Sequence, residues 1–250
     1  MQNYSPHNPW HDDWSSWDDG SVQRAIDYYR NSGEKGIVEF HWHWFSPTGG
    51  NLRTSTFYTQ NTWFDVSRAV QSGTEEYQAT IRDLDAIANQ LRRLKDAGVP
   101  VLWRPLHEAD GKWFWWGAKG SDACKKLYYM MRDRFINHHG LDNLVWVWSV
   151  DKPYGDWYPG NDHVDILGID SYPGGYNYDC QKQKFNDMGS MSGWQKVMAL
   201  TEVGPIPDIW NCHSQGATWL YFETWADLIW SQNDGNHIKA IYNDWHTINE

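Results

Sequence analysis

The 250-residue chain reads as an α/β protein built on a parallel sheet. Short apolar, β-prone runs alternate with amphipathic stretches at helical spacing, the pattern of strands joined by crossover helices and covered on both faces. No linker or internal repeat divides the chain, so residues 1–250 are read as one domain, and 250 residues is a usual length for an α/β barrel. Two of the runs also deliver a carboxylate where they stop: V-L-W-R-P-L-H-E ends on Glu108, and V-M-A-L-T-E-V-G surrounds Glu202.

The elements follow in order. Residues 1–20 are a loop rich in Trp, Asp, Pro and His, without periodicity. Ser21 caps a helix that runs to about Asn31 and stops at Ser32-Gly33. Gly36 to Trp44 is the first strand, and residues 45–72 form a loop too long to be merely connective. Ile81, Leu84, Ile87, Leu91 and Leu94 draw the stripe of an amphipathic helix over 74–97. Gly98 ends it, and the strand Val99–Leu106 follows. A helix at about 121–139 precedes the strand Leu144–Ser149, and Asp165–Asp170 comes next after a connection too short for a full helix. The strand Val197–Val203, a helix at about 214–232 and a final strand Ile238–Tyr242 complete the chain. That makes six strands. A closed eight-stranded barrel needs two more, and an open six-stranded sheet is the alternative.

Composition narrows the function. Hydrophobic residues at 40% and charged residues at 21% describe a globular chain. A formal charge of -11 with no basic stripe excludes nucleic acid as a partner. No signal-peptide pattern and no apolar run long enough to span a bilayer occurs, so no membrane partner is expected. The outlier is the count of 19 tryptophans. About half are expected to fill the core. Trp10, Trp14, Trp17, Trp113, Trp115, Trp116 and Trp157 lie in loop-like surroundings and are expected to face a ligand groove. Cys124, Cys180 and Cys212 have no zinc-ligand spacing and read as inert thiols, with a Cys180–Cys212 bridge as the lesser alternative.

In a barrel the active site forms at the C-terminal ends of the strands. His43, His107, Glu108, Tyr172, Glu202 and Trp245 each follow a predicted strand closely. A pair of carboxyl groups so placed matches glycoside hydrolysis, where one protonates the leaving oxygen and the other attacks or activates water. Tyr172 is placed to donate a hydrogen bond that favours an ionised carboxylate, with barrel-mouth packing equally compatible. Trp245 is expected to floor a sugar site or to lie buried under the last loop. Arg104, four residues before Glu108, is expected deeper in the barrel, holding a carboxylate charged. A rival reading starts from His41 and His43, an H-x-H pair on one strand face, with His107 and Asp170 completing a metal site. The carboxylate pair has no comparable role in that scheme, so no metal is assigned.

The segments G-I-V-E-F-H-W-H-W, W-R-P-L-H-E-A-D-G-K-W-F-W-W-G, L-V-W-V-W-S, Y-P-G-N-D-H-V-D-I-L-G-I-D-S-Y and A-L-T-E-V-G-P-I-P-D span residues 36–208. In them the chain resembles family 26 of the glycoside hydrolases, chiefly endo-β-1,4-mannanases. The resemblance implies a (β/α)8 TIM barrel with the acid/base after the fourth strand and the nucleophile after the seventh. Glu108 then becomes the acid/base and Glu202 the nucleophile of a retaining double displacement on mannan or galactomannan. His43 and His107 would bond the sugar at the cleavage point, Tyr172 would orient Glu202, and Trp116 and Trp245 would line the same subsite. The resemblance implies no cofactor, a secreted enzyme, and a monomer when full-length. Strand count and family agree if about the first two strands are absent and Met1 is an internal methionine of a longer protein. Such a chain would expose two sheet edges. Departures are H-E-A-D-G-K-W for the common H-E-M-N-G-G-W, and His246 where some members place arginine. Alternatives are a metal-dependent barrel hydrolase, a glycan-binding protein without activity, or, within the family, a β-1,3-xylanase or mixed-linkage glucanase.

Overall fold

A computed structural model describes residues 20–50 and 55–248. The expectations for Trp10, Trp14 and Trp17 lie outside the described residues. Five parallel strands, β1 (Glu39–His41), β2 (Val101–Arg104), β3 (Leu144–Val150), β4 (Ile166–Ser171) and β5 (Val197–Val203), pair in sequence order and curl into a half-barrel. Beyond β5, residues 220–223 run parallel to it. Leu220 and Glu223 donate backbone N–H groups to Met198 and Leu200, while Leu200 and Val203 donate back to Tyr221 and Glu223. Six extended segments therefore lie side by side, and β1 and 220–223 are the edges among the described residues.

The helices cover the outer face: α1 (Ser21–Asn31), α2 (Val66–Ala69), α3 (Glu75–Asp96), α4 (Ser121–Asp133), α5 (Lys182–Met191), α6 (Ile209–Ser214), α7 (Leu228–Ser231) and α8 (Gly235–Tyr242). α3 matches its sequence signal closely. The Thr74 side chain accepts from Tyr77 N, satisfying a free N–H of the first turn, and of the predicted stripe Leu84, Ile87, Leu91 and Leu94 are fully buried while Ile81 is partly buried. α4 continues as a π-helical turn over Arg134–His138, so the predicted end near 139 holds. No α-helix joins β3 to β4; a 3-10 turn at Gly155–Trp157 stands in the short connection.

Two expectations near the end of the chain fail. The predicted helix over 214–232 does not form: α6 has ended by Ser214, Gly216 takes φ +66, residues 220–223 are extended, and only α7 at Leu228–Ser231 is helical. The run W-L-Y-F is aromatic and suits a pleated, half-buried surface better than a helix. Conversely, the predicted strand Ile238–Tyr242 is α8. Asp234 accepts from Asn236 N and His237 N as its cap, and Ile238 and Ile241 are buried three residues apart, a helical period. The helix α5, which no sequence signal marked, lies between β4 and β5.

Tryptophans divide between core and surface in a way their neighbours in sequence do not announce. Trp42, Trp44, Trp103 and Trp148 fill the interior, as expected for aromatic rings. Trp115, Trp116 and Trp157, expected to face a groove, are buried too. A 3-10 turn at Trp115–Gly117 tucks the first two indoles inward, where Trp115 donates to the Trp44 carbonyl at 2.7 Å and Trp116 to the His107 carbonyl at 2.9 Å. Cys124, Cys180 and Cys212 are all free and buried, so the bridge does not form. Among the described residues no helix is long and apolar enough to cross a membrane.

A cavity of about 870 Å³ lies at the N-terminal ends of the strands between the two sheet edges, lined by Ile37, Leu102, Ile166, Leu200 and Phe222 among others. Its lining is mainly apolar and includes neither Glu108 nor Glu202.

The turn at Trp115–Gly117 provides a stability test. A Cβ on Gly117 would sit 2.0 Å from the Ala109 carbonyl oxygen, a backbone atom that cannot step aside. Gly117→Ala is expected to cost about 1–3 kcal/mol, read as a lower urea midpoint; an unchanged midpoint contradicts the close approach.

Candidate active site

The strand ends converge on one cleft. β2 leads into a loop in which Leu106 and Glu108 adopt left-handed backbone, φ 53 and 50. Such geometry is uncommon for residues with a side chain and persists where the surroundings impose it. Here the Glu108 N–H is held by the Ser149 carbonyl of β3 at 3.1 Å. The pairing of β4 with β5 shifts register between Ile169 and Asp170, which sets Asp170 opposite Glu202. Bulges of this kind re-aim side chains beside functional sites. The outcome is a cluster in which Glu108, Asp170 and Glu202 each bring an oxygen within 4.8 Å of the others.

Arg104 sits beneath that cluster, fully buried. Its Nη2 donates to Glu202 Oε1 at 2.9 Å, its Nε to Glu39 Oε1 at 2.8 Å, and its Nη1 to Ser149 Oγ at 3.2 Å and to Asp170 Oδ2 at 3.4 Å. The other Glu202 oxygen accepts from Tyr172 OH at 2.6 Å and from Trp225 Nε1 at 2.8 Å. Burial works against the Glu202 charge, but the Arg104 charge and these donors outweigh it and hold the carboxyl below its ordinary range. Glu108 goes the other way. Burial first, and then the charge on Glu202, push it to about 7, against a 3.0 Å hydrogen bond from Trp113 Nε1. Asp170 is pushed well above its ordinary range by burial and by Glu202 and Glu108, with Arg104 and a 2.6 Å hydrogen bond from Thr201 opposing. One carboxyl is thus tuned to keep a proton and its neighbour to lose one.

Three imidazoles line the same cleft. The rings of His43 and His107 lie 4.6 Å apart, and His41 lies 5.3 Å and 5.5 Å from them. Burial pushes His43 down to about 4 and drives His41 and His107 well below their ordinary values, so all three are neutral at pH 7. His41 Nε2, His43 Nδ1 and His107 Nδ1 are buried without a hydrogen-bond partner. Orphaned polar atoms of this kind are costly unless a ligand satisfies them, and neutral imidazoles suit hydroxyl groups, which both donate and accept. The histidines of the rival metal reading do come together. Its aspartate is already engaged by Arg104 and Thr201, and the guanidinium supplies the positive charge at that spot.

Most sequence-predicted residues therefore meet: Glu108, Glu202, Arg104, His43, His107, Tyr172 and Trp113. Trp116 is fully buried behind the cleft, packed on Phe114 and His107, so it seats His107 and shows no face to a ligand. Trp245 does not join them. It is 82% exposed, tilted against His246 and near His213, because the element before it is a helix on the outer face. The departure at His246 lies there as well. Trp225 holds the position expected of Trp245: it follows 220–223, bonds Glu202 and Tyr172, and its ring lies 5.6 Å from His41. Sequence reading missed it, along with Tyr221 and Glu223, because 214–232 was read as helix; Glu39 passed as a single polar position in an apolar strand. The aromatic run ending in Glu-Thr-Trp was the available signal.

Fold and site together define a class: a parallel α/β barrel protein whose centre is a carboxyl pair of the glycoside hydrolase kind. The family model for glycosyl hydrolase family 26 matches residues 14–250. The chain is 44% identical over 233 residues to a mannan endo-1,4-beta-mannosidase of Thermothelomyces thermophilus, a match covering 89% of this chain and 46% of that protein. Among solved structures, the Podospora anserina GH26-CBM35 β-(1,4)-mannanase superposes with a TM-score of 0.89 at 40% identity, covering 99% of this chain and 55% of that one. A β-mannanase from a symbiotic protist of the termite Reticulitermes speratus, complexed with gluco-manno-oligosaccharide, gives 0.85 at 34% identity, covering 96% and 77%. The chain belongs to glycosyl hydrolase family 26. It spans about half the length of the curated relative at 44% identity.

The opposed carboxyls make a stability prediction. The folded chain holds Glu108 protonated up to about 7, above its ordinary 4.5. Folded protein thus binds a proton that the unfolded chain has released, and this contribution to stability is lost as pH rises through that window. Glu108→Gln is expected to raise the melting temperature over the parent at about pH 8 and much less at about pH 4. Equal gains at both pH values would contradict the raised value.

Proposed function

We propose that this chain cleaves β-1,4-mannosidic bonds within mannan or galactomannan by a retaining double displacement. The observation that carries the reading is the carboxyl pair itself: oxygens of Glu108 and Glu202 within 4.8 Å, with proton affinities driven apart. Retention uses carboxyl groups about 5–5.5 Å apart, while inversion needs about 6.5–9.5 Å to fit a water. The short approach supports the former. The mannanase names of the relatives and the gluco-manno-oligosaccharide in one structural neighbour support the substrate.

Glu108, protonated, donates to the glycosidic oxygen as the bond to the anomeric carbon breaks. Glu202, ionised and aimed by Arg104, Tyr172 and Trp225, attacks that carbon and forms a covalent glycosyl ester. Glu108, now a carboxylate, takes a proton from the incoming water, which releases the sugar and restores Glu202. His43 and His107 accept or donate to sugar hydroxyls beside the bond, and Trp113, exposed and bonded to Glu108 through its Nε1, offers an aromatic surface beside it. A polymeric substrate fits a secreted protein, and a monomer suffices because one chain carries both carboxyls.

Reducing ends released from galactomannan test the activity. Glu108→Gln and Glu202→Gln are each expected to lower kcat/KM by about 10²- to 10⁴-fold; near-parental turnover in either removes its role. A proton NMR time course should show the β-anomer first, and an α-anomer first would overturn retention. The pH profile should be bell-shaped. Its alkaline limb falls as Glu108 loses its proton near about 7, and its acid limb falls where Glu202 gains one below the ordinary carboxylate range.

A further inference from the structure

Beneath the cleft lies a further acidic group that takes no part in the double displacement. Glu39 on β1 reaches into the barrel interior, where Oε1 accepts from Arg104 Nε at 2.8 Å. Its Oε2 accepts from Tyr221 OH, and Glu223 hydrogen-bonds to it as well. Tyr221 and Glu223 belong to the extended segment at the opposite edge of the sheet, so Glu39 is clamped from across the interior. The guanidinium is a rigid planar fork. Nε, bound to Glu39, and Nη2, bound to Glu202, belong to that one plane.

We propose that Glu39, held by Tyr221 and Glu223, is a positioning residue that fixes the Arg104 fork and so sets the charge balance of Glu202 and Glu108. The proposal rests on the catalytic roles given above for those two carboxyls. The groups facing Arg104 are Glu39 and His41 from β1, His43 just after it, His107 and Glu108 after β2, Ser149 from β3, Asp170 from β4, Glu202 from β5, and Tyr221 and Glu223 from 220–223. Nη2 of the fork holds Glu202, and Nε holds Glu39. Burial and the Glu39 charge push Glu223 to about 8, so at neutral pH it keeps its proton and serves as a donor to Glu39. The single guanidinium is thereby shared between one carboxylate that reacts and one that does not.

The sign of the effect follows from charge. Glu39→Gln keeps shape and an acceptor but removes a negative charge beside Arg104. The Arg104 field then acts less compensated on both catalytic carboxyls, and each ionises more readily. Both limbs of the pH–rate profile should move to lower pH by about half a unit or more, with kcat down about tenfold and KM changed by less than about twofold. A purely structural role lowers the yield of folded enzyme and leaves the limbs in place. Limbs coincident with the parent's overturn the proposal while the hydrolase reading stands.

Should the parent release no sugar from mannan, the hydrolase reading fails, and carbon-13 NMR titration of the glutamate carboxyls in the parent and in Glu39→Gln still decides this one. Unmoved titrations of Glu202 and Glu108 would end it. Should Glu39→Gln fail to fold, Glu223→Gln and Glu223→Leu examine the clamp from its other side. The glutamine keeps an N–H donor to Glu39 and is expected to retain at least about tenfold more turnover than the leucine; equal turnover and equal pH profiles in the two count against it.

Discussion

The structure turns on one buried cation. Arg104 is out of contact with water and meets Glu39, Asp170 and Glu202 from three different strands. Taking a guanidinium out of water costs several kcal/mol unless partners and hydrogen bonds surround it, so β1, β4 and β5 must present their acidic side chains at matching heights. The half-barrel curl achieves this. Strands that pair in sequence order turn their inward residues toward a common axis, and Arg104 on β2 is long enough to reach across it. Removing any one partner leaves charge uncompensated in a low-dielectric interior, which makes the cluster a constraint on the whole sheet.

Two glutamates of identical chemistry end with opposite proton affinities because only one of them touches that cation. Glu202 touches it and collects two further donors; Glu108 does not touch it and sees the Glu202 charge and a poorly hydrated loop. The left-handed backbone at Leu106 and Glu108 belongs to the same design. It turns the chain so that Glu108 leaves the strand axis and faces Glu202 across the cleft instead of following Arg104 into the interior. Unfavourable backbone and an unfavourable pair of like charges are both tolerated here because the strands beneath fix the geometry.

Much of this was legible in the sequence. β3 to β5 and the long α3 followed from apolar runs and helical stripes, and Glu108, Glu202, Arg104, Tyr172, His43 and His107 followed from their places at strand ends. What failed, failed for local reasons. W-L-Y-F carries no clear period, so its pairing to β5 depends on a neighbour distant in sequence, and Trp225 went unseen with it. I-K-A-I-Y is too short to separate alternation from a helical turn, and the Asp234 cap decided for helix. Glu39 looked like one polar position in an apolar strand. Its meaning lies in Tyr221 and Glu223, about 180 residues away along the chain.

The tryptophans show why this composition suits the site. An indole N–H donates one hydrogen bond, accepts none, and does not titrate in water. Trp225 and Trp113 use that donor on Glu202 and Glu108, where a lysine or histidine would add a competing proton site. Trp115 and Trp116 use it on the carbonyls of Trp44 and His107, satisfying backbone groups that the irregular strand ends leave over. Trp44, three residues after β1, in turn donates to the buried Asp83 on α3, tying the end of that strand to its covering helix. Each ring buries apolar area and settles one polar atom. The same residue type therefore packs the wall of the barrel and fixes its carboxyls without disturbing their proton balance, and a wall of phenylalanine would leave those oxygens and carbonyls unmet.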